Sequence, residues 1–176
     1  MKTLIVVDMQ NDFIDGALAN PAAQAIVEPM VEYIKNFEGN IIFTRDTHYE
    51  NYLDTQEGRK LPVEHCLVGT KGWRPHIDLV EAAHQKQSYW VDWIDKDSFG
   101  DIRELAAVID IRDCAEDEIY LCGTCTDICV VSIALNLKAR YPETKIYCLG
   151  NLCAGVTPES HEAALTVMKM CQIEVV

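Results

Sequence analysis

Short runs of β-branched and other apolar residues recur along the chain with amphipathic stretches between them, and this alternation constrains the fold more than any other feature. Six such runs read as strands, at 3–7, 40–44, 88–94, 118–122, 145–149 and 172–175. Amphipathic segments at 21–36, 101–109, 128–140 and 158–170 lie between them. Strands alternating with helices are the pattern of βαβ units and a parallel sheet. The expected fold class is therefore α/β, a three-layer α/β/α arrangement around a central six-stranded parallel sheet. The last helix has a clear start in Thr157-Pro158-Glu159, a capping residue followed by proline in the first turn. The stretch 48–76 departs from the pattern: it is polar, carries Gly58, Pro62, Gly69 and Gly72, and lacks periodicity. Long irregular loops in compact domains usually carry function. With 176 residues and no internal repeat, a single domain over 1–176 is expected.

Open parallel sheets bind ligands at the carboxyl ends of their strands. Asp8 follows the first predicted strand, Asp46 and His48 the second, Lys96 the third, and the segment 123–129 the fourth. In that segment a strand runs in and an apolar helix leaves, which puts Cys129 at or near a helix N-terminus. There the helix dipole favours a thiolate, and free N–H groups can bind an oxyanion. Thr126 and Asp127 suit the capping of those N–H groups. The same residues also read as a buried helix cysteine with an ordinary cap. Asp8 reads as a general base and then a general acid, or as a loop-capping aspartate. Lys96 reads as a stabiliser of thiolate and carboxylate, or as a solvated ion-pair partner. Asp46 and His48, two apart at an extended strand end, point the same way and can reach one ion, with His65 beyond the loop. Imidazole and carboxylate suit zinc, iron or manganese. The alternative is a set of unrelated polar loop residues.

Charge excludes some partners. Fifteen Lys and Arg against 28 Asp and Glu give a net charge of -13, which repels nucleic-acid backbones and anionic membrane surfaces. No apolar run approaches the roughly 20 residues that span a bilayer. The first residues lead into an acidic turn without the features of a secretion signal, so a cytoplasmic location is expected. The eight cysteines, Cys66, Cys114, Cys122, Cys125, Cys129, Cys148, Cys153 and Cys171, are then expected to be reduced. Cys122-Gly-Thr-Cys125 is formally a CxxC.

The combination of Asp8-Met9-Gln10-Asn11-Asp12-Phe13, Lys96 before Ser98-Phe99-Gly100, and Gly123-x-x-Thr126-Asp127-x-Cys129-Val130 resembles the isochorismatase-like cysteine hydrolases, which include the nicotinamidases. The resemblance implies the isochorismatase-like fold, with Asp8, Lys96 and Cys129 as a catalytic triad. It implies a non-proline cis peptide between Thr124 and Cys125, aiming the N–H groups of Cys125 and Cys129 at the substrate oxygen. Cys122 then belongs to a strand and Cys125 to the oxyanion loop, which removes the redox reading. Nicotinamidase-like members hold a divalent metal, zinc foremost, through an Asp-x-His and a later His before an apolar-Gly-Thr sequence. Here these are Asp46, His48 and His65, the last in His65-Cys66-Leu67-Val68-Gly69-Thr70; isochorismatases proper generally lack that site. For the remaining ligand Glu57 is preferred to Asp54, because Glu57 opens the Glu-x-x-x-Leu-Pro approach to His65.

Phe13 matches an aromatic that packs against a flat substrate ring. A second aromatic is expected three residues before His65, where this chain has Pro62 beside Leu61; Tyr52 is another ring in the same loop. The implied activity is an amidohydrolase that cleaves a small planar carboxamide through a thioester on Cys129, the thioester being hydrolysed by water near the metal. The alternatives are a hydrolase of a carbamoyl or ureido substrate, and a non-catalytic metal- or ligand-binding module. Family members are commonly homo-oligomers, dimers or tetramers. His76, His84 and His161 match no family position; His84 and His161 read as solvated helix-surface residues, and Trp90 and Trp93 as core.

Overall fold

The computed structural model describes residues 1–85, 89–112 and 118–176, so Ser88, the first residue of the third predicted strand, and Cys114 lie outside the described residues. In chain order the elements are β1 (Lys2–Val7), α1 (Asn11–Ile14), α2 (Pro21–Asn36), β2 (Asn40–Asp46), α3 (Gln56–Lys60), α4 (Ile77–His84), β3 (Val91–Lys96), α5 (Arg103–Ile111), β4 (Glu118–Thr124), α6 (Val131–Arg140), β5 (Ile146–Ala154), α7 (Pro158–Met170) and β6 (Glu174–Val175). A 3-10 turn at Tyr52–Asp54 precedes α3, and a π-helical turn at Thr126–Val130 precedes α6.

The six strands form one sheet in the order β3-β2-β1-β4-β5-β6, every neighbour parallel. Helices cover both faces, giving the three-layer α/β/α sandwich expected from the alternation of the sequence. Leu4, Ile5, Val6 and Val7 of the central strand are wholly buried, as a strand packed on both faces requires. From β1 the chain steps outward through β2 to β3, then returns to lay β4 against the other side of β1. The strand order thus reverses between β1 and β4, and the crevice at such a switch point is where this class of sheet binds ligands. Asp8 leaves the end of β1 and the π-helical turn follows β4, so both flank it.

Strands reach further at their carboxyl ends than the apolar runs do. β2 continues to Asp46 and β3 to Lys96, because Arg45 and Asp95 sit opposite each other in register and pair at 2.6 Å. β4 runs on to Thr124, and β5 passes through Gly150 to Ala154 across a register shift opposite Leu121 and Gly123. β6 is shorter than predicted, since Gln172 turns the chain at φ +66° after α7. Helix α5 starts at Arg103, two residues later than predicted, and the Asp101 side chain ahead of it accepts from the Arg103 N–H at 2.9 Å. The expected cap of α7 is present: Thr157 Oγ1 accepts from the Ser160 N–H at 3.1 Å, with Pro158 in the first turn.

Gly123 fixes how closely β4 can approach β1. Its φ is +123°, and a Cβ there would lie 2.1 Å from the Val7 carbonyl oxygen. Gly123→Ala is expected to cost about 2–4 kcal/mol through backbone strain and overpacking. Calorimetry should show the melting temperature falling by roughly 5–15 °C.

Candidate active site and metal cluster

Asp8 closes β1 with its backbone in the left-handed region, φ +48°, a conformation uncommon outside glycine that clusters at functional sites. Its carboxylate is fully buried: Oδ1 accepts from Thr44 Oγ1 at 2.7 Å, and Oδ2 lies 2.8 Å from Lys96 Nζ. Lys96, 2% exposed, reaches there from the end of β3. Its ammonium also lies 3.5 Å from Asp46 Oδ1 and 3.5 Å from Cys129 Sγ. Cys129 sits in the π-helical turn after β4, 6% exposed. One cation therefore stands among two carboxylates and a thiol, the four groups brought together from the ends of β1, β2, β3 and β4.

Burial is the strongest influence on the Cys129 thiol and pushes its pKa well above the usual range; Asp8 adds to this and Lys96 opposes it. Burial likewise raises Asp8, with Lys96 pulling the other way. For Lys96 burial disfavours the charge, but Asp8, Cys129 and Asp46 outweigh it and hold the ammonium protonated. Burial thus favours the thiol of Cys129 over the thiolate that a helix start alone suggests, beside the 2.8 Å contact of Asp8 with Lys96.

The peptide between Thr124 and Cys125 is cis. Cys122 is buried in β4, and every described cysteine is free. Thr126 and Asp127 make no cap on their own turn. The Asp127 carboxylate instead accepts from the Val156 N–H at 3.0 Å and from Ser160 Oγ, while Thr126 Oγ1 meets His161 Nδ1 at 2.8 Å. These contacts pin the turn that carries Cys129 to the start of α7. His161 is therefore half-buried and engaged, contrary to the solvated reading, whereas His84 is exposed on α4. Trp90 and Trp93 pack only partly against the core, Trp93 stacking on Phe43 at 4.6 Å.

Asp46, His48, Glu57 and His65 offer ligand atoms that all lie within 4.8 Å of one another. Asp54, in the neighbouring 3-10 turn, is not among them. His65 Nδ1 bonds the Val63 carbonyl at 2.8 Å, which leaves the Nε2 lone pair facing the cluster. His48 Nε2 is buried and makes no hydrogen bond among the described residues, although Asp46 Oδ2 lies 2.9 Å away. A buried imidazole nitrogen without a hydrogen bond, converging with a second imidazole and two carboxylates, fits a divalent cation. Tyr52 is 1% exposed and packs against both rings, at 4.6 Å from His48 and 5.0 Å from His65, with its hydroxyl donating to the Leu61 carbonyl at 2.9 Å. It braces the cluster from outside the cavity and is not a substrate wall.

A cavity of about 770 Å³ opens beside these groups. Asp46, His65, Cys125 and Cys129 line one end of it, and Phe13, 5.6 Å from the His65 ring, forms a wall. Pro62 is exposed and takes no part in the lining; Leu61 does. Several contributors escaped the sequence reading. Gln10 brackets the Asp46 peptide, its Nε2 donating to the Asp46 carbonyl and its Oε1 accepting from the Asp46 N–H, both at 2.8 Å. Asp12 accepts from the Cys66 N–H at 2.7 Å and so tethers the loop that carries His65. Both residues stand in the Asp8 motif, which signalled them without revealing what they hold. Phe99 and Ile128 fall inside the motifs after Lys96 and before Cys129, which did not reveal that they line the cavity, and Thr44 and Val156 carried no signal of a site role.

A family model described as Isochorismatase domain matches residues 2–176. The nicotinamidase/pyrazinamidase of Mycobacterium tuberculosis is 28% identical over 188 residues, covering 100% of this chain and 98% of that protein. The pyrazinamidase of Pyrococcus horikoshii, solved in complex with zinc, is 32% identical, with a TM-score of 0.80 over 99% of this chain and 98% of its own. The nicotinamidase/pyrazinamidase of Bacillus subtilis is 26% identical, with a TM-score of 0.83 over the same shares, 99% and 98%.

Proposed function

The chain belongs to the isochorismatase family, and from that premise we propose that it is a cysteine amidohydrolase acting on a small carboxamide, with Cys129 as nucleophile, Asp8 as proton carrier and Lys96 as their electrostatic anchor. The observation that carries this reading is the position of Lys96 Nζ, 2.8 Å from Asp8 and 3.5 Å from Cys129, at the buried end of a cavity. Relatives named as nicotinamidases and pyrazinamidases favour a carboxamide over a carbamoyl or ureido substrate.

The resting thiol sets the first step. Asp8 takes the Cys129 proton as the sulfur attacks the amide carbonyl carbon, and the N–H groups of Cys125 and Cys129 receive the oxyanion. Asp8 returns the proton to the amide nitrogen, the C–N bond breaks, ammonia leaves, and an acyl thioester remains on Cys129. A water molecule then gives a proton to Asp8 and its oxygen to the acyl carbon; the C–S bond breaks, Asp8 returns that proton to the sulfur, the acid departs and the thiol is restored. Throughout, Lys96 keeps Asp8 anionic until the proton moves and offsets the charge on sulfur. Phe13 holds a flat acyl group by stacking.

Asp46, His48, Glu57 and His65 would hold a divalent ion. Two imidazoles and two carboxylates suit zinc first, with iron or manganese compatible. When bound, the ion supplies a Lewis-acidic positive charge at the inner end of the cavity. His65→Ala is expected to lower the zinc content of the purified protein from about one equivalent to near none, read by elemental analysis. Zinc at roughly 100 times its Kd should stabilise the unsubstituted chain by about 2.7 kcal/mol and leave His65→Ala unchanged.

The reading extends to one domain over 1–176 acting as a cytoplasmic homo-oligomer, a dimer or tetramer, which light scattering would measure. Among the described residues no helix is long and apolar enough to cross a membrane. The functional assay is ammonia release from nicotinamide, pyrazinamide and related planar carboxamides beside carbamoyl and ureido compounds. Release from carboxamides alone is expected; ammonia with carbon dioxide from the carbamoyl set alone would overturn the substrate class.

A further inference from the structure

The cavity is larger than the chemistry beside Cys129 requires. The buried residues Asp46, His65 and Cys129, with Cys125, supply only part of the lining of about 770 Å³, a volume in the range of pockets that enclose drug-sized ligands. Beyond Phe13 the lining is mainly apolar, with Leu18, Leu61, Phe99, Ile128 and Val156, and Asn20, Gln56 and Lys60 also reach it. Leu61 is 39% exposed, Phe99 44% and Val156 60%. An amide with one ring against Phe13 leaves these three wet.

Their exposure is not that of a loose surface. The loop that presents Phe99 is fastened where Asn136 Nδ2 donates to the Gly100 carbonyl at 2.7 Å. Val156 is fastened by its own N–H on Asp127. Leu61 accepts the Tyr52 hydroxyl on its carbonyl and ends α3 with its N–H on the Glu57 carbonyl. Three exposed apolar side chains are thus held by backbone anchors in the lining of a cavity whose buried lining residues include Asp46, His65 and Cys129. Because Pro62 faces solvent and is not in the lining, no ring three residues before His65 closes the space.

Resting on the amidohydrolase reading above, we propose that the physiological substrate is a primary carboxamide borne on an apolar acyl group larger than one ring, such as two fused rings. The inner ring packs on Phe13 and the outer part covers Phe99, Leu61 and Val156. Burying apolar surface that a one-ring amide leaves wet favours the larger substrate in the transition state.

The test is kcat/KM for ammonia release from pyridine-3-carboxamide and quinoline-3-carboxamide, measured on the whole chain loaded with zinc. The two-ring amide is expected to exceed the one-ring amide by about tenfold or more, the scale on which apolar pockets discriminate. Phe99→Ala should bring that ratio down by about fivefold or more. Leu61→Trp, which fills the space beside these side chains without removing a wall, should bring it below one. A ratio at or below one in the unsubstituted chain, or a ratio unmoved by both substitutions, overturns the proposal. The two readings fail separately: one-ring turnover that depends on Cys129, without preference for the second ring, sinks only the size inference. Absence of ammonia from every amide sinks both.

Discussion

Cys129→Ala is expected to abolish ammonia release, lowering kcat by roughly 10,000-fold or more, the scale on which removal of a covalent nucleophile acts. Alanine keeps the fold, since it deletes one sulfur from a residue that is buried but small. Cys125→Ala is the paired control. By the proposed mechanism Cys125 contributes its backbone N–H, which alanine retains, so activity should stay within about tenfold of the unsubstituted chain. Mass spectrometry of a quenched reaction should show an acyl adduct on the unsubstituted protein and none on Cys129→Ala. If Cys125→Ala were the dead variant and Cys129→Ala the active one, the nucleophile would have been misassigned.

Asp8→Asn should separate two properties that usually fall together. Asparagine has nearly the shape of aspartate but cannot carry the proton, so kcat is expected to drop by roughly 1,000-fold. It also removes the anion 2.8 Å from the buried Lys96 ammonium. Breaking one side of such a pair costs about 3–5 kcal/mol, which denaturant unfolding would read. The sign for the thiol is opposite. Asp8 is one of the influences that hold the Cys129 pKa up, and Lys96 is the one that lowers it. Deleting the carboxylate lowers the thiol pKa, so iodoacetamide should label Cys129 faster at neutral pH in Asp8→Asn than in the unsubstituted chain, while hydrolysis nearly stops. Slower labelling of the variant would mean that Asp8 activates the sulfur at rest, contrary to the proposed order of proton transfer.

The parts legible in the sequence are those written locally. Alternating apolar runs disclosed the sheet, and polar residues at their ends disclosed Asp8, Asp46, His48 and Lys96. The same polar ends misled the boundaries: Arg45, Asp46, Asp95 and Lys96 read as loop, yet they lie within β2 and β3 because the ladder continues beneath them. Glu57 was distinguished from Asp54 by its approach to His65, and only Glu57 converges with the other three groups. What the sequence withheld depends on contacts across the chain. Nothing near Tyr52 says that it packs behind two histidines, nothing near His161 says that it meets Thr126, and nothing near Phe99 says that it faces the same space as Phe13. The state of the Cys129 thiol was withheld for the same reason: a helix start is local, but the burial that outweighs it is made by the whole fold.

The order of the strands also dictates the order in which the site comes into being. β1, β2 and β3 are consecutive in sequence and adjacent in the sheet, so Asp8, Asp46 and Lys96, with the four-residue cluster at 46–65, are complete once the first hundred or so residues have been made. Cys129 joins only when β4 returns from far along the chain to pair Val7 with Gly123, a contact of high sequence separation and correspondingly slow to form. During synthesis the residues that bear these charges are therefore made before the thiol is. Cys129 takes its place beside Asp8, Asp46 and Lys96 only through that long-range pairing of β4 with β1.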